Sequence, residues 1–264
     1  MSSRRSRLRV AAAQIPVSRD LAANLAAIEH ALERAGGRGI ELVVSPEAAL
    51  SGYAVNLNHS RPAEEWPALL SALESVAAAA HRLGLWVALG CDALESGRWV
   101  NRAYVYSPSG ELAASYDKVH LTRSDALYYD PGRDVALFDL DGVSVGLQIC
   151  YDVRFPEGCR ALLEEGVRVV LYPFCAVGGE TWKVPVLGAH LRSRAAENGV
   201  YVVAANAAGP LQMVVSQIIS PDGLVLAEAN QEHIEVIEAD LDLQHVQHMG
   251  IRDDYLLKYR DVLS

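Results

Sequence analysis

Short apolar runs alternate with amphipathic stretches along this chain, first near the N-terminus and again after a central region of hairpin-like runs. The amphipathic stretches carry apolar residues at helical spacing, whereas the short apolar runs favour buried strands. Strands separated by helices are typical of α/β proteins with parallel strands. The predicted strands are residues 8–15, 40–46, 85–94, 167–173 and 201–206, and the predicted helices are residues 20–35, 67–83, 156–165 and 184–198.

The two alternating sections end in a similar turn. Residues 107–110 read SPSG and residues 220–223 read SPDG, and each turn joins two strand-like runs. This likeness predicts two similar halves, packed as an α/β fold: a four-layer α-β-β-α sandwich of two mixed β-sheets with helices on the outer faces. Because S-P-x-G is a common turn sequence, a doubly wound open sheet is the alternative. No linker divides residues 1–264, so a single domain is predicted.

Composition excludes several classes of protein. Apolar residues make up 51% of the chain, and the formal charge is −10, which argues against a disordered chain and against a partner with a phosphate backbone. No apolar run is long enough to span a membrane. The four cysteines form no C-x-x-C pair, so we expect reduced thiols in a cytoplasmic protein. Residues 1–6 are predicted to be a disordered leader.

Cys150 lies where a strand meets a helix, in the segment ICYDVRFPE. A side chain at the carboxyl end of such a strand is placed for catalysis, and a nearby helix N-terminus favours a thiolate. The alternative is that Cys150 is a small buried hydrophobe. A nucleophilic cysteine needs a proton acceptor, and the candidate histidines are His81, His120 and His190. None of them lies in a papain-like or caspase-like signature, so each is expected to be a surface or packing histidine.

A carboxylate at a strand end is better placed than the histidines to accept this proton, and a lysine is a candidate for stabilising the oxyanion. Glu47 follows a predicted buried strand, although it could also begin a short helix. Lys118 is one of three lysines in a chain with twenty arginines, and we place it inside an apolar strand, where an edge lysine that blocks aggregation is the alternative. A compact ammonium suits a small oxyanion better than the planar guanidinium of arginine does.

Taken in order, PEAALSGY, YDKVHL and ICYDVRFPE resemble the Glu-Lys-Cys segments of the nitrilase (carbon-nitrogen hydrolase) superfamily. The PGRD, RAAENGVYVVAAN and SPDGLVLAEA segments also resemble that family, so the likeness covers nearly the whole chain. It implies the four-layer sandwich. It also implies a homodimer that pairs through helices near the active site and through the C-terminal tail at residues 242–264.

The resemblance implies acyl transfer through a thioester. Glu47 would take the proton of Cys150 as its sulfur attacks a carbonyl carbon, and Lys118 with the main-chain N–H of Tyr151 would stabilise the oxyanion. Ammonia or an amine would leave, and Glu47 would then activate water. This chemistry requires no metal and no cofactor.

Two departures from the family pattern stand out. Many members have a second glutamate where this chain has Asp125, and the shorter side chain predicts a lost or water-bridged contact with Lys118 or with the substrate. The loop at residues 208–215 is also shorter than is usual, which is expected to reshape a pocket wall or a dimer edge.

Tyr151 follows the nucleophile, whereas nitrilases proper usually have tryptophan there, so the chain resembles the amidase and carbamoyl-hydrolase branches. Arg154 is a candidate for binding a substrate carboxylate, but a buried salt bridge with Asp152 or Glu157 is the favoured interpretation. Further pocket candidates, each of which could instead pack in the core or at an interface, are Tyr53, Phe174 and Trp182.

These observations predict a hydrolase that cleaves a non-peptide C–N bond of a small linear amide or N-carbamoyl compound and releases ammonia. Nitrile hydrolysis by the same residues and a non-catalytic dimeric scaffold of the same fold are the alternatives, and a papain-like cysteine protease is a weaker one. His245 and His248 have ligand-like spacing, but no third ligand accompanies them, so a solvated tail is favoured over a metal site.

Overall fold

The computed structural model describes residues 5–58, 61–178 and 182–259. The strands are β1 (Arg7–Gln14), β2 (Leu42–Val44), β3 (Trp86–Glu95), β4 (Arg98–Tyr106), β5 (Leu112–Asp117), β6 (Ala136–Leu140), β7 (Val143–Leu147), β8 (Val169–Phe174), β9 (Tyr201–Asn206), β10 (Gln217–Ile219), β11 (Val225–Glu228) and β12 (Glu235–Asp242). The helices are α1 (Leu21–Ala35), α2 (Ala54–Leu57), α3 (Trp66–Leu83), α4 (Pro156–Glu164), α5 (Lys183–Asn198), α6 (Leu243–Gln247) and α7 (Gly250–Asp254). All nine predicted elements are present, with ends that shift by a few residues.

The strands form two six-stranded sheets, with the orders β12-β1-β2-β3-β4-β5 and β11-β10-β9-β8-β7-β6. The strands β1, β2 and β3 are parallel, as are β7, β8 and β9, and the outer strands pair antiparallel. Both sheets are therefore mixed, as predicted. The doubly wound open sheet is wrong for this chain.

Three apolar cores hold the layers together. The central core lies between the sheets and joins Val10 and Val44 of the first to Val145 and Val203 of the second. The outer cores lie between each sheet and its own helices, α1 and α3 on one side and α4 and α5 on the other. Since each helix buries only one apolar face, this arrangement leaves its polar face in water. The four-layer α-β-β-α sandwich is confirmed.

The two SPxG turns occupy equivalent places in the two halves. Gly110 (φ +81°) packs its turn against α3, and Gly223 (φ +78°) packs its turn against α5. A Cβ atom at either glycine would lie 3.0 Å from a helix carbonyl oxygen, that of Ala77 or of Arg192. Both positions thus require glycine for the same reasons, which supports the inference of two similar halves.

The ends of the chain return to the first sheet. Strand β12 pairs with β1 over its whole length, a pairing that no local pattern indicated. Of the predicted leader, residues 1–4 lie outside the described residues, while Arg5 forms an ion pair with Glu41. In the described parts of the chain, no helix is both long enough and apolar enough to cross a membrane.

Candidate active site

Glu47 stands just beyond the end of β2, where a tight turn directs it between the two sheets. The turn passes so close to β3 that a Cβ atom at Gly90 would lie 2.2 Å from the carbonyl oxygen of Pro46. Ala48 adopts a left-handed conformation (φ +49°) to complete the turn, and Glu47 N–H donates to the carbonyl oxygen of Phe174 at 3.2 Å. The first sheet thus presents Glu47 to the carboxyl end of β8.

Lys118 is the first residue after β5, whereas the sequence predicted that it lies inside the strand. Its N–H donates to the carbonyl oxygen of Asn101 and its own carbonyl oxygen accepts from Gly132 N–H, both at 2.9 Å. Gly132 packs so tightly that a Cβ atom would lie 2.1 Å from the carbonyl oxygen of Asp117. The main chain of Lys118 is therefore fixed on both sides.

Glu47, Lys118 and Asp125, here called the ionic cluster, meet in the interior with no exposed side-chain surface. Lys118 Nζ lies 2.7 Å from Glu47 Oε1 and 2.9 Å from Asp125 Oδ2. Burial alone would lower the pKa of Lys118, but the negative charges of Glu47 and Asp125 outweigh it and raise that pKa. Lys118 is consequently an ammonium ion throughout the ordinary pH range.

The contact between Asp125 and Lys118 is direct, which corrects the expectation that the shorter side chain would lose it. Asp125 begins a short 3₁₀ turn, Asp125–Leu127, and its Oδ2 lies 2.9 Å from Lys118 Nζ. Thr122 N–H donates to Asp125 Oδ2 at 2.8 Å, and Tyr53 OH donates to its other oxygen. Burial raises the pKa of Asp125, but the Lys118 charge and these hydrogen bonds bring it below its usual value.

Glu47 has two further donors that the sequence did not single out. Asn101 Nδ2 donates to Glu47 Oε1 at 2.8 Å, and Cys175 N–H donates to Glu47 Oε2 at 2.9 Å. Asn101 was missed although it is a polar residue at a buried position of β4, and asparagine is uncommon in strands. A buried asparagine in a strand indicates that its side chain has a buried hydrogen-bond partner.

Cys150 begins a 3₁₀ turn at Cys150–Arg154 and has a left-handed main chain (φ +46°), as expected for a residue forced into a sharp strand-to-turn bend. Burial and the negative charge of Glu47 raise the pKa of the Cys150 thiol well above its ordinary value, although Lys118 acts to lower it. The effect of the nearby helix N-terminus on this thiol stays a prediction.

A cavity of about 400 Å³ opens beside Cys150. Of the predicted pocket residues, Tyr53 and Arg154 line it, and so does Tyr151, the predicted oxyanion donor. Phe174 also borders it, but its side chain is fully buried in the core beneath. Trp182 is not one of the residues that line the cavity in the described parts of the chain. Its side chain is 59% exposed at the start of α5.

Four half-buried residues, Tyr151, Arg154, Lys183 and Met213, form what we call the rim of this cavity. The Arg154 guanidinium lies 6.0 Å from the centre of the Tyr151 ring. Within the described parts of the chain, no carboxylate lies within ion-pair distance of Arg154, so the favoured salt bridge with Asp152 or Glu157 is not formed. Met213 comes from the short loop at residues 208–215, which therefore does shape a pocket wall.

The histidines lie outside the cavity lining. His81 Nδ1 is 3.1 Å from the carbonyl oxygen of Pro108 on the outer surface, and His120 Nδ1 is 2.8 Å from Asp152 Oδ1. Burial, with the positive charges of Arg194 and Arg154, lowers the pKa of His190. None of the three is placed to accept the proton of Cys150.

The described residues contain no group of three or more histidine, cysteine, aspartate or glutamate side chains that could hold a metal ion. His245 Nε2 lies 2.9 Å from Asp222 Oδ2, which gives it a partner of its own.

Known proteins identify the family and the fold. A sequence model of the carbon-nitrogen hydrolase family matches residues 9–250. The chain belongs to this family. It is 29% identical to the omega-amidase NIT2 of Danio rerio over 91% of this chain and 90% of the relative. It is 33% identical to an (R)-stereoselective amidase of Pseudomonas sp over 89% of this chain and 84% of the relative.

A solved structure of an amidase from Nesterenkonia sp. is similar to the chain, with a TM-score of 0.78 and 29% identity over 92% of this chain and 93% of that chain. The nitrilase-superfamily fold inferred from the three sequence segments is thus confirmed. The papain-like protease has no support, since the fold is that of the carbon-nitrogen hydrolases.

Proposed function

We propose that this carbon-nitrogen hydrolase is an amidohydrolase that cleaves a small linear amide through a thioester on Cys150. One observation carries the proposal: a half-buried thiol that lines the cavity and has a raised pKa lies beside the glutamate of a fully buried ionic cluster. A thiol of this kind cannot attack a carbonyl carbon until a base removes its proton. Glu47 is the base that this geometry supplies.

The reaction proceeds in two balanced halves. Glu47 accepts the Cys150 proton while the sulfur bonds to the amide carbon, and the tetrahedral intermediate then breaks its C–N bond as Glu47 returns the proton to the leaving nitrogen. Ammonia departs and leaves a thioester. Glu47 next takes a proton from water, whose oxygen attacks the thioester, and the acid leaves as Cys150 regains its proton.

Lys118 and Tyr151 stabilise the oxyanion in both halves. The Lys118 ammonium has three N–H donors, of which two point to Glu47 and Asp125. The third supplies a donor for the substrate oxygen, together with the main-chain N–H of Tyr151 in the turn after Cys150. Asp125 thereby supports the reaction by fixing the orientation of Lys118.

The rim favours a substrate that carries a carboxylate away from the reacting amide. Arg154 and Lys183 both line the cavity, and a carboxylate would bind well to a half-buried guanidinium. The name of the Danio rerio relative, omega-amidase, supports a terminal amide as the reacting group. An N-carbamoyl compound fits the same chemistry and is the second substrate to test.

Ammonia release from short aliphatic amides, from the mono-amide of a dicarboxylic acid, from an N-carbamoyl amino acid and from a nitrile tests the proposal. We expect release from an amide by the wild type and none by Cys150→Ala. Equal release by both proteins would overturn the proposal. Fast reaction of iodoacetamide with Cys150 but not with the buried Cys91 is also expected, whereas a non-catalytic scaffold would alkylate both slowly.

The homodimer and the cytoplasmic location stay predictions. The predicted interface includes the tail at residues 242–264, of which residues 260–264 lie outside the described residues. Sedimentation of the full chain at several concentrations would give the oligomeric state, and a monomer at all of them would contradict the prediction.

A further inference from the structure

Asp152 is a fully buried carboxylate two residues after Cys150, and it accepts four hydrogen bonds. His120 donates twice to Asp152 Oδ1, from its main-chain N–H and at Nδ1, both at 2.8 Å. Tyr116 OH and Ile149 N–H donate to Oδ2, both at 2.9 Å. Asp152 was considered from sequence only as a partner for Arg154, and its contacts point to a different role.

The four donors come from two segments that carry the proposed oxyanion donors. Tyr116 and His120 lie two residues on either side of Lys118, whereas Ile149 lies next to Cys150. We propose that Asp152 is a positioning residue that fixes Lys118 relative to Cys150 and to the main-chain N–H of Tyr151. This inference rests on the proposed function, because it assigns Asp152 to the oxyanion site of that reaction.

We call Asp152 and its four donors the clamp, and Tyr116 is a neutral donor on the side that holds Lys118. Burial and then the negative charge of Asp152 raise the pKa of Tyr116, so its hydroxyl keeps its proton and donates. The His120 ring stacks on Phe155 at 3.9 Å between ring centres with an angle of 7°. Because Phe155 follows the Cys150–Arg154 turn directly, this stacking is a second link between the Lys118 segment and the turn.

On the other side, Asp152 holds the turn in its unusual conformation. Asp152 N–H donates to the carbonyl oxygen of Ile149 at 3.0 Å while its carboxylate accepts from Ile149 N–H. These two bonds close the turn around Cys150, whose left-handed main chain is unfavourable for a non-glycine residue. The same closure directs the N–H of Tyr151.

An oxyanion site depends on donors held within about 0.5 Å of their productive places. Loss of the clamp is therefore expected to lower kcat while KM changes little, since the ground-state amide does not yet carry the negative charge. Asp152→Asn replaces one acceptor oxygen by an NH₂ group that faces a donor. His120→Ala removes one donor, and His120→Asn restores an N–H donor near the place of Nδ1.

The experiment combines kinetics with two probes of Cys150. An aldehyde analogue of the substrate forms a thiohemiacetal whose oxygen needs the oxyanion donors, whereas alkylation by iodoacetamide does not. For Asp152→Asn and His120→Ala we expect kcat to fall about 10- to 100-fold and inhibition by the aldehyde to weaken by the same factor. The rate of alkylation should stay near that of the wild type, and His120→Asn should recover most of the loss.

His81→Ala is the matched control, because this exposed histidine bonds a carbonyl oxygen on the outer surface and should change nothing. If Asp152→Asn does not fold, the two His120 variants decide the question. Unchanged aldehyde inhibition in the variants, or an equal fall in alkylation and turnover, overturns the role of Asp152 and leaves the proposed function intact. A wild type that hydrolyses no amide overturns both.

Discussion

The rim lines the cavity and the ionic cluster lies buried next to it, and the fold constrains the two differently. Glu47, Lys118 and Asp125 have no exposed side-chain surface and hold one another at 2.7 and 2.9 Å. The rim residues are half-buried, and the contact that Arg154 makes within the described residues is with the Tyr151 ring, at 6.0 Å. The reaction type is thus fixed by preorganised buried charges, whereas the choice of substrate depends on side chains that still have room to adapt.

If this division is correct, changes in the ionic cluster lower kcat and changes in the rim raise KM. The largest effect is expected for Glu47→Gln. Loss of the general base should reduce kcat about 1,000-fold, measured as ammonia release. The exposed Glu33→Gln is the control and should match the wild type.

Glu47→Gln also has a predicted effect on pH dependence. The negative charge of Glu47 is one cause of the raised pKa of Cys150, so its removal should lower that pKa. The ultraviolet absorbance of the thiolate, corrected with Cys150→Ala, should then appear at a lower pH than in the wild type. An unchanged or higher titration pH would contradict the assigned contact.

The second effect is that of Lys118→Arg, which keeps the charge but changes its shape. A planar guanidinium cannot occupy the fully buried place between Glu47 and Asp125 without displacing one of them. We expect kcat to fall about 100-fold. Lys258→Arg, at an exposed lysine paired with Asp254, is the control, and equal activity of the two variants would show that shape is irrelevant.

Asp125→Asn should lower the free energy of unfolding at neutral pH as well as kcat. The pKa of Asp125 is lowered in the folded protein, so its ionised form stabilises the fold above the ordinary carboxyl pKa, and this contribution is lost as pH falls through the lowered value. At neutral pH we expect the variant to lose about 2 kcal/mol of unfolding free energy. In denaturant titrations the difference from the wild type should shrink at strongly acidic pH, and a constant difference would contradict this account.

The smallest effect is expected in the rim. Arg154→Gln should raise KM about 10-fold for a mono-amide that carries a carboxylate and leave kcat unchanged. A neutral aliphatic amide of similar size should not distinguish the variant from the wild type. Arg98→Gln, at an exposed arginine paired with Asp130, is the control. A fall in kcat for both substrates would show that Arg154 takes part in the reaction itself. It would contradict the separation between an ionic cluster that sets kcat and a rim that sets KM.

The sequence predicted those features that depend on local pattern. Strand ends and turn residues indicate where Glu47 and Cys150 lie, and the repeated SPxG turn indicated the two halves. The contacts of Asn101 and Asp152 were not predicted, because each joins segments that are distant in the chain. The Asp125–Lys118 contact was predicted wrongly, because the length of the side chain is visible in the sequence and the distance between the two main-chain segments is not.

The central claim is that Cys150 carries the acyl group. Mass spectrometry of the protein quenched during turnover of an amide, followed by digestion, locates the adduct. Cys175 is the internal control, because it lines the same cavity and its pKa is also raised, chiefly by burial and by the charge of Glu47. We predict an acyl group on the peptide that contains Cys150 and none on the peptide that contains Cys175. An adduct on Cys175, or turnover by a protein that never carries an acyl group, would contradict the account.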